Sequence, residues 1–223
     1  MGKILLQIIL FVFPWSIRRQ ILNKCFNYKI DKKARIGKSI ILAKELIMAD
    51  GSHIGSFTFC KRIDKLQMGK NSNLGNFNMI TGFPTGNPSF KHFLHRPTRR
   101  CELIVGEETG ITSRHFFDCN GGIYIGNFSQ IAGYETTFLS HSIDLENNRQ
   151  DVEPIVIGDY CFIGTRCTFI KGSIIPDKSV VGACSLVNKR FEESNCLYAG
   201  VPVKKIKDAL NYQFFERKEG FVI

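Results

Sequence analysis

From residue 157 the chain places a large apolar side chain at every sixth position: Ile157, Ile163, Phe169, Ile175, Val181 and Val187. An α-helix repeats near 3.6 residues and a β-strand near 2, so neither explains a spacing of six. The same spacing runs earlier through Ile30, Ile36, Leu42, Met48 and Ile54, then through Met68, Leu74 and Ile80. It returns at Val105, Ile111 and Phe117 and, after a slip of two residues, at Ile125 and Ile131. A fixed period sustained along a chain marks a solenoid, in which each repeat packs only on its neighbours. A β-sandwich has no reason to keep such spacing.

The other hexad positions say how the repeat closes. Glycine often follows the apolar residue, as at Gly37, Gly55, Gly75, Gly164 and Gly182. A small residue usually stands four after it, as at Ser52, Thr58, Ser72, Ser129, Cys161, Cys167, Ser173, Ser179 and Ser185. Each hexad is therefore expected to supply one short strand and one corner, with the apolar side chain inside and the small residue where the chain turns inward. Three hexads make a triangular coil of about 18 residues, and successive rungs pair in parallel about 4.8 Å apart.

Two segments break the spacing, FPTGNPSFKHFLHRPTRR (83–100) and LSHSIDLENNRQDVEP (139–154). A solenoid excludes insertions from its stack, so both are expected to loop outward, where long loops usually carry function. Residues 30–190 thus read as the solenoid. Residues 191–223 read as a capping segment, with a helix expected across Lys204 to Arg217.

Residues 1–29 read as a helical segment broken near Pro14. Ile4 to Trp15 is apolar except for Gln7. Twelve helical residues span about 18 Å, too short to cross a bilayer core of about 30 Å. Two readings stand for this segment: a helix packed on the main domain or on another subunit, or an amphipathic anchor on an anionic membrane face next to the cluster Arg18, Arg19 and Lys24.

The formal charge of +10 suits an anionic ligand or surface. Nucleic acid is disfavoured, because no zinc-finger spacing, RNP-type motif or basic heptad region is present. The eight cysteines include no CxxC pair, so no structural zinc site is expected. They read as reduced thiols of a cytoplasmic protein.

The hexads, together with the closing segment AGVPVKKIK (199–207), resemble the hexapeptide-repeat acyltransferases over roughly residues 30–207. That resemblance implies a left-handed parallel β-helix, a hand that the spacing alone does not give. It also implies acetyl-CoA as acyl donor, a homotrimer with sites between prisms, and no metal. Within the family the pattern resembles galactoside, maltose and polysaccharide O-acetyltransferases.

On this resemblance His141, in FLSHSID, is the general base that takes a proton from an acceptor hydroxyl; such assistance is typically worth about 10²–10⁴-fold. His115 stands at a small-residue position, four after Ile111. It either lines the acceptor pocket and assists His141, with Asp118 as companion, or is a buried histidine bonded to backbone. His141 counts as standing at the same offset from Thr137, and Glu135, four after Ile131, is a weaker candidate for orienting a histidine.

The donor side is carried over in the same way. Thr165 offers a backbone amide near the thioester, and Ala183 is the small residue that admits the pantetheine arm. Gly164 and Gly182 keep the channel narrow. Asn188, Lys189, Lys204 and Lys207 match positions facing the nucleotide phosphates. Phe162 and Tyr198 depart from the usual pattern.

The activity expected from these residues is acetyl-CoA-dependent O-acetylation of a sugar hydroxyl in surface polysaccharide synthesis. The alternatives are an N-acetyltransferase of an amino sugar, an antibiotic acetyltransferase, and a non-catalytic β-helix module.

Overall fold

The computed structural model describes residues 2–26, 28–86, 92–220 and 222. Among them the chain builds two seven-stranded sheets and one nine-stranded sheet, plus a two-stranded hairpin. The three large sheets are visited in rotation. Lys29–Ile30 opens the first face, Arg35–Ile36 the second and Ile40–Leu42 the third, and the next coil repeats the order with Glu45–Met48, His53–Ile54 and Phe59–Lys61. Consecutive coils pair in parallel, for example Ile36 with Ile54 and Phe117 with Phe138. The result is a three-sided coil, as the spacing of six requires.

Each face has an inward stack. Met48, Met68, Val105, Ile125 and Ile157 fill the first, Ile54, Leu74, Ile111, Ile131 and Ile163 the second, and Ile80, Phe117, Phe138, Phe169 and Val187 the third, all buried. Phe117, Phe138 and Phe169 stack with ring centroids 4.9 Å apart, the distance between rungs. Burying one such side chain contributes about 1.5–3 kcal/mol, so the stacks rather than the short strands hold the prism.

The spacing fails in two places. On the third face of the first coil Ile41, not Leu42, points inward. On the second face the register shifts between Ile111 and Ser113, so that Ser113 pairs with Tyr134. One extra residue therefore lies between Ile131 and the next inward side chain, which is Phe138 and not Thr137. Thr136 and Ser140 become the buried small residues at the flanking corners. Glu135 instead faces solvent, paired with Arg166 at 3.0 Å.

The segment 1–29 caps the first coil. A helix α1 (Gly2–Ile9), a short 3-10 turn (Leu10–Val12) and a helix α2 (Trp15–Phe26) flank Pro14. The first coil has no rung beneath it, and its outward backbone groups need partners. Side-chain amides supply them. Gln7 Nε2 donates to Ile41 O at 2.6 Å, and Ile41 N donates back to Gln7 Oε1 at 2.9 Å. Asn23 does the same at Ile30, at 3.1 and 3.0 Å. Arg18 reaches Ile36 O and Ser39 O, and Trp15 Nε1 reaches Ala34 O. This explains the lone glutamine in an apolar run.

The far end departs from expectation. No helix covers Lys204 to Arg217. Val203–Lys207 is a strand, antiparallel to Leu197–Gly200, and Gln213–Glu216 is a single 3-10 turn. The second face ends in an open edge after Leu197–Gly200, and a strand satisfies that edge where a helix would leave it bare.

Candidate active site

The prism has three edges, and two of them carry the residues singled out by sequence. The edge from third to first face carries His141. It leaves the third face after Thr137–Leu139 and starts a hairpin in which His141–Asp144 pairs antiparallel with Arg149–Val152. The expected loop 139–154 is thus mostly this hairpin.

Asp118, one coil below on the same edge, is 4 % exposed and its Oδ2 accepts from His141 Nδ1–H. Asn120 Nδ2 donates to Asp118 Oδ1, and its Oδ1 accepts from Phe83 N at 2.6 Å. Asn120 Nδ2 also lies 3.2 Å from His141 Nδ1; with Nδ1 already protonated toward Asp118, its useful bond is the one to the carboxylate. The tautomer is therefore fixed with the lone pair on Nε2, and no described residue bonds that nitrogen. Phe93 meets the imidazole edge to face at 6.2 Å.

His115 is placed differently. It is 1 % exposed. Thr136 N donates to its Nδ1 at 3.1 Å, which leaves Nε2–H to donate to Thr112 Oγ1 at 2.9 Å. Burial pushes its pKa down to about 4. Both nitrogens are spent on holding the irregular rung at 111–136, and Asp118 serves His141 rather than His115.

A second buried carboxylate joins the two excursions. Asp151, on the hairpin, accepts from Arg96 Nε at 2.8 Å, His95 Nε2 at 2.9 Å and Lys171 Nζ at 2.6 Å. The bond from Arg96, followed by those from Lys171 and His95, holds its pKa far below the usual carboxylate range. Beside this knot, His92, Phe93, Leu94, Ile143, Arg149 and Gln150 line a cavity of about 470 Å³. Residues 87–91 of the first expected loop lie outside the described residues.

The edge from second to third face carries Gly164, Thr165, Gly182 and Ala183. A Cβ on Gly164 would meet Ala183 N at 2.6 Å, so only glycine lets adjacent coils approach. Along this edge backbone amides donate to the side chain one coil up, except at the irregular rung of Ser113: Lys38 N to Ser56 Oγ, Ser56 N to Asn76 Oδ1, Asn76 N to Ser113 Oγ, and Tyr134 N to Thr165 Oγ1. The ladder stops at the next step. Above Thr165 stands Ala183, which has no acceptor, and no described residue accepts from Thr165 N–H. Lys204 pairs with Ala199, whose Cβ lies over Gly182, so this lysine belongs to the same end. Lys207 pairs with Leu197 further along the same strand.

Asn188 and Lys189 do not join that group. They follow Leu186–Val187 of the third face and stand on the edge of His141. Phe162 is partly exposed against Phe214, and Tyr198 is buried as the last inward residue of the second face. Cys161 and Cys167 are buried at small-residue corners, and burial drives the Cys161 thiol up to about 12, far from a thiolate nucleophile. Among the described residues no cluster of His, Cys, Asp or Glu could hold a metal ion.

Sequence reasoning missed Asn120, Phe93 and Asp151. Asn120 had a signal, since the two-residue slip between Phe117 and Ile125 is the Asn120–Gly121 corner that sets it beside Asp118. Asp151 had none.

The fold is shared with acyltransferases of solved structure. A mutant of AntD, an N-acyltransferase from Bacillus cereus in complex with dTDP and coenzyme A, is similar over 88 % of this chain and 90 % of its own, at TM-score 0.55 and 15 % identity. The polySia-specific acetyltransferase NeuO is similar over 81 % and 80 %, at TM-score 0.52 and 17 % identity. At these identities the likeness establishes the fold. No family model matches the chain, and no curated protein matches it by sequence.

Proposed function

We propose that the chain is a left-handed hexapeptide-repeat acyltransferase that moves an acetyl group from acetyl-CoA to a sugar hydroxyl, in the synthesis of a surface polysaccharide. The observation that carries this reading is the His141–Asp118 pair: an imidazole with Nδ1 held by a buried carboxylate, Nε2 unbonded, and its ring against Phe93, which lines the cavity. Nε2 takes the hydroxyl proton as the oxygen attacks the thioester carbonyl. The C–S bond then breaks, and the imidazolium returns the proton to the departing thiolate.

The free amide of Thr165 is suited to the developing oxyanion, and Ala183 to the pantetheine arm. His115 is a brace for the rung. Arg149 and the histidines of the cavity suit a polar acceptor.

His141 and Thr165 sit on different edges, separated by one prism side of up to about 20 Å for six extended residues. One chain does not bring them together. A second copy in a closed ring, the trimer that the family resemblance implies, sets the His141 edge of one against the Thr165 edge of the next. The same pairing sets Asn188 and Lys189 against Ala183 and Lys204, which reunites the cofactor residues.

His141→Ala should lose at least about 10²-fold in turnover while still binding CoA by calorimetry. Turnover near wild type refutes the base. An amine acceptor is the second reading, favoured by the likeness to an N-acyltransferase; a panel of sugars, amino sugars and antibiotics with acetyl-CoA separates the two.

A further inference from the structure

We infer that the capped end of the prism, formed by α1, the start of α2 and the first coil, docks on an anionic lipid surface. Helix α1 and the 3-10 turn that follows it have two differently used sides. The inner side is used up: Gln7 of α1 and Leu10 of the turn are buried against the first coil. The outer side presents Leu5, Ile8 and Ile9 of α1 and Val12 of the turn, spaced i, i+3, i+4 and i+7, with Val12 83 % exposed. Phe13 and Ile17 extend it across the break at Pro14. A contiguous apolar stripe of this kind is not a feature of an ordinary solvated surface.

Charge identifies what covers it. Ten of the 30 basic residues but only one of the 20 acidic ones fall within residues 1–44, so this segment carries +9 of the formal +10. The rest of the chain is nearly neutral. Lys24, Lys32, Arg35 and Lys38 are exposed, and no described carboxylate pairs with them. A second copy on the stripe would set two such ends against each other, and like charges oppose that. Nucleic acid would match the charge and leave the apolar side chains in water. An anionic bilayer takes both, the stripe entering the headgroup region and the exposed basic residues meeting the lipid phosphates. The helices are too short to span, so the contact is peripheral.

The test is co-sedimentation of the full chain with vesicles of phosphatidylcholine alone and with about 25 % phosphatidylglycerol. Binding should be at least about tenfold stronger on the anionic vesicles and should weaken as salt rises from about 0.05 to 0.5 M. Ile8→Ser with Val12→Ser should weaken it at least about tenfold, with the melting temperature and CoA binding unchanged. Lys32→Gln with Arg35→Gln and Lys38→Gln should weaken it by about fivefold per charge and flatten the salt dependence. Equal binding to both vesicles, no binding to either, or a stripe variant that binds like wild type overturns the inference. So does a stripe variant that sediments as a smaller oligomer than wild type, since the stripe is then an interface between copies.

Discussion

At the scale of single residues, the edge ladder assigns Ala183 a role that its size alone does not convey. Four amides below Thr165 on that edge, those of Lys38, Ser56, Asn76 and Tyr134, are occupied by the side chain one coil higher, and the irregular rung at Ser113 interrupts the series. Alanine ends the series and frees one donor. Ala183→Ser restores an acceptor of the same kind as Ser56 and Ser113. It should lower turnover by about 10²-fold, the usual effect of losing one oxyanion donor, with stability unchanged or slightly raised. Turnover equal to wild type in a steady-state assay would remove Thr165 N–H from the reaction. His115 makes a separate prediction about stability. Its folded pKa of about 4 lies below the ordinary value of 6.5. Above pH 6.5 neither state binds the proton and nothing is lost. Between 6.5 and 4 the unfolded chain binds it first, so stability falls with pH by up to about 3 kcal/mol. Melting curves from pH 7 to 4.5 should show that loss in the wild type and a shallower one in His115→Gln. How far these residues were legible in sequence depended on spacing. The position of His115 followed from an unbroken hexad, which left open whether the ring lined the acceptor pocket or was buried. His141 was picked out by its context, but its offset was miscounted, because the extra residue between Ile131 and Phe138 is invisible when Thr137 and Phe138 both fit an inward site.

At the scale of elements, the hexads made the three faces readable and left the ends unread. An inward apolar side chain every sixth residue is a packing constraint, so it is written into the sequence at each coil. The ends obey a different requirement, the pairing of backbone groups that lack a neighbouring rung. That is why Lys204 to Arg217 looked helical by its apolar spacing yet contributes a strand where the second face needed an edge partner. At the opposite end the requirement is met by Gln7 and Asn23, each imitating a peptide group. Gln7→Leu keeps the volume and removes both bonds. It should cost about 1–3 kcal/mol, because Ile41 N–H is then buried without a partner, while Ile41 C=O keeps the bond from the Tyr28 hydroxyl at 2.8 Å. Chemical denaturation measures this, and an unchanged midpoint would show that water replaces the amide. The knot at Asp151 is of the same kind, a buried carboxylate tying the segment 92–100 to the hairpin 141–152. Asp151→Asn leaves the prism intact and loosens the cavity wall. The Michaelis constant for the acceptor should rise about tenfold or more, with the constant for acetyl-CoA unaffected.

At the scale of the whole molecule, the division of the proposed site between two edges has a consequence that a mixing experiment can count. His141→Ala removes the base from one edge. Ala183→Trp fills the other, where position 183 is exposed and the larger ring has room outside the core. Each variant alone should be inactive. Dissociated and reassembled together in equal amounts, they form mixed rings in which a site works only if its histidine comes from one variant and its donor edge from the other. Random assembly gives that arrangement at about one site in four, so activity should return to about a quarter of the wild-type value. If base and donor edge belonged to the same chain, every site would carry one defect and mixing would restore nothing. The two outcomes differ by far more than assay error. The choice between them follows from the rotation of the chain around three faces: a residue leaving the third face and a residue leaving the second cannot share an edge, however many coils are added.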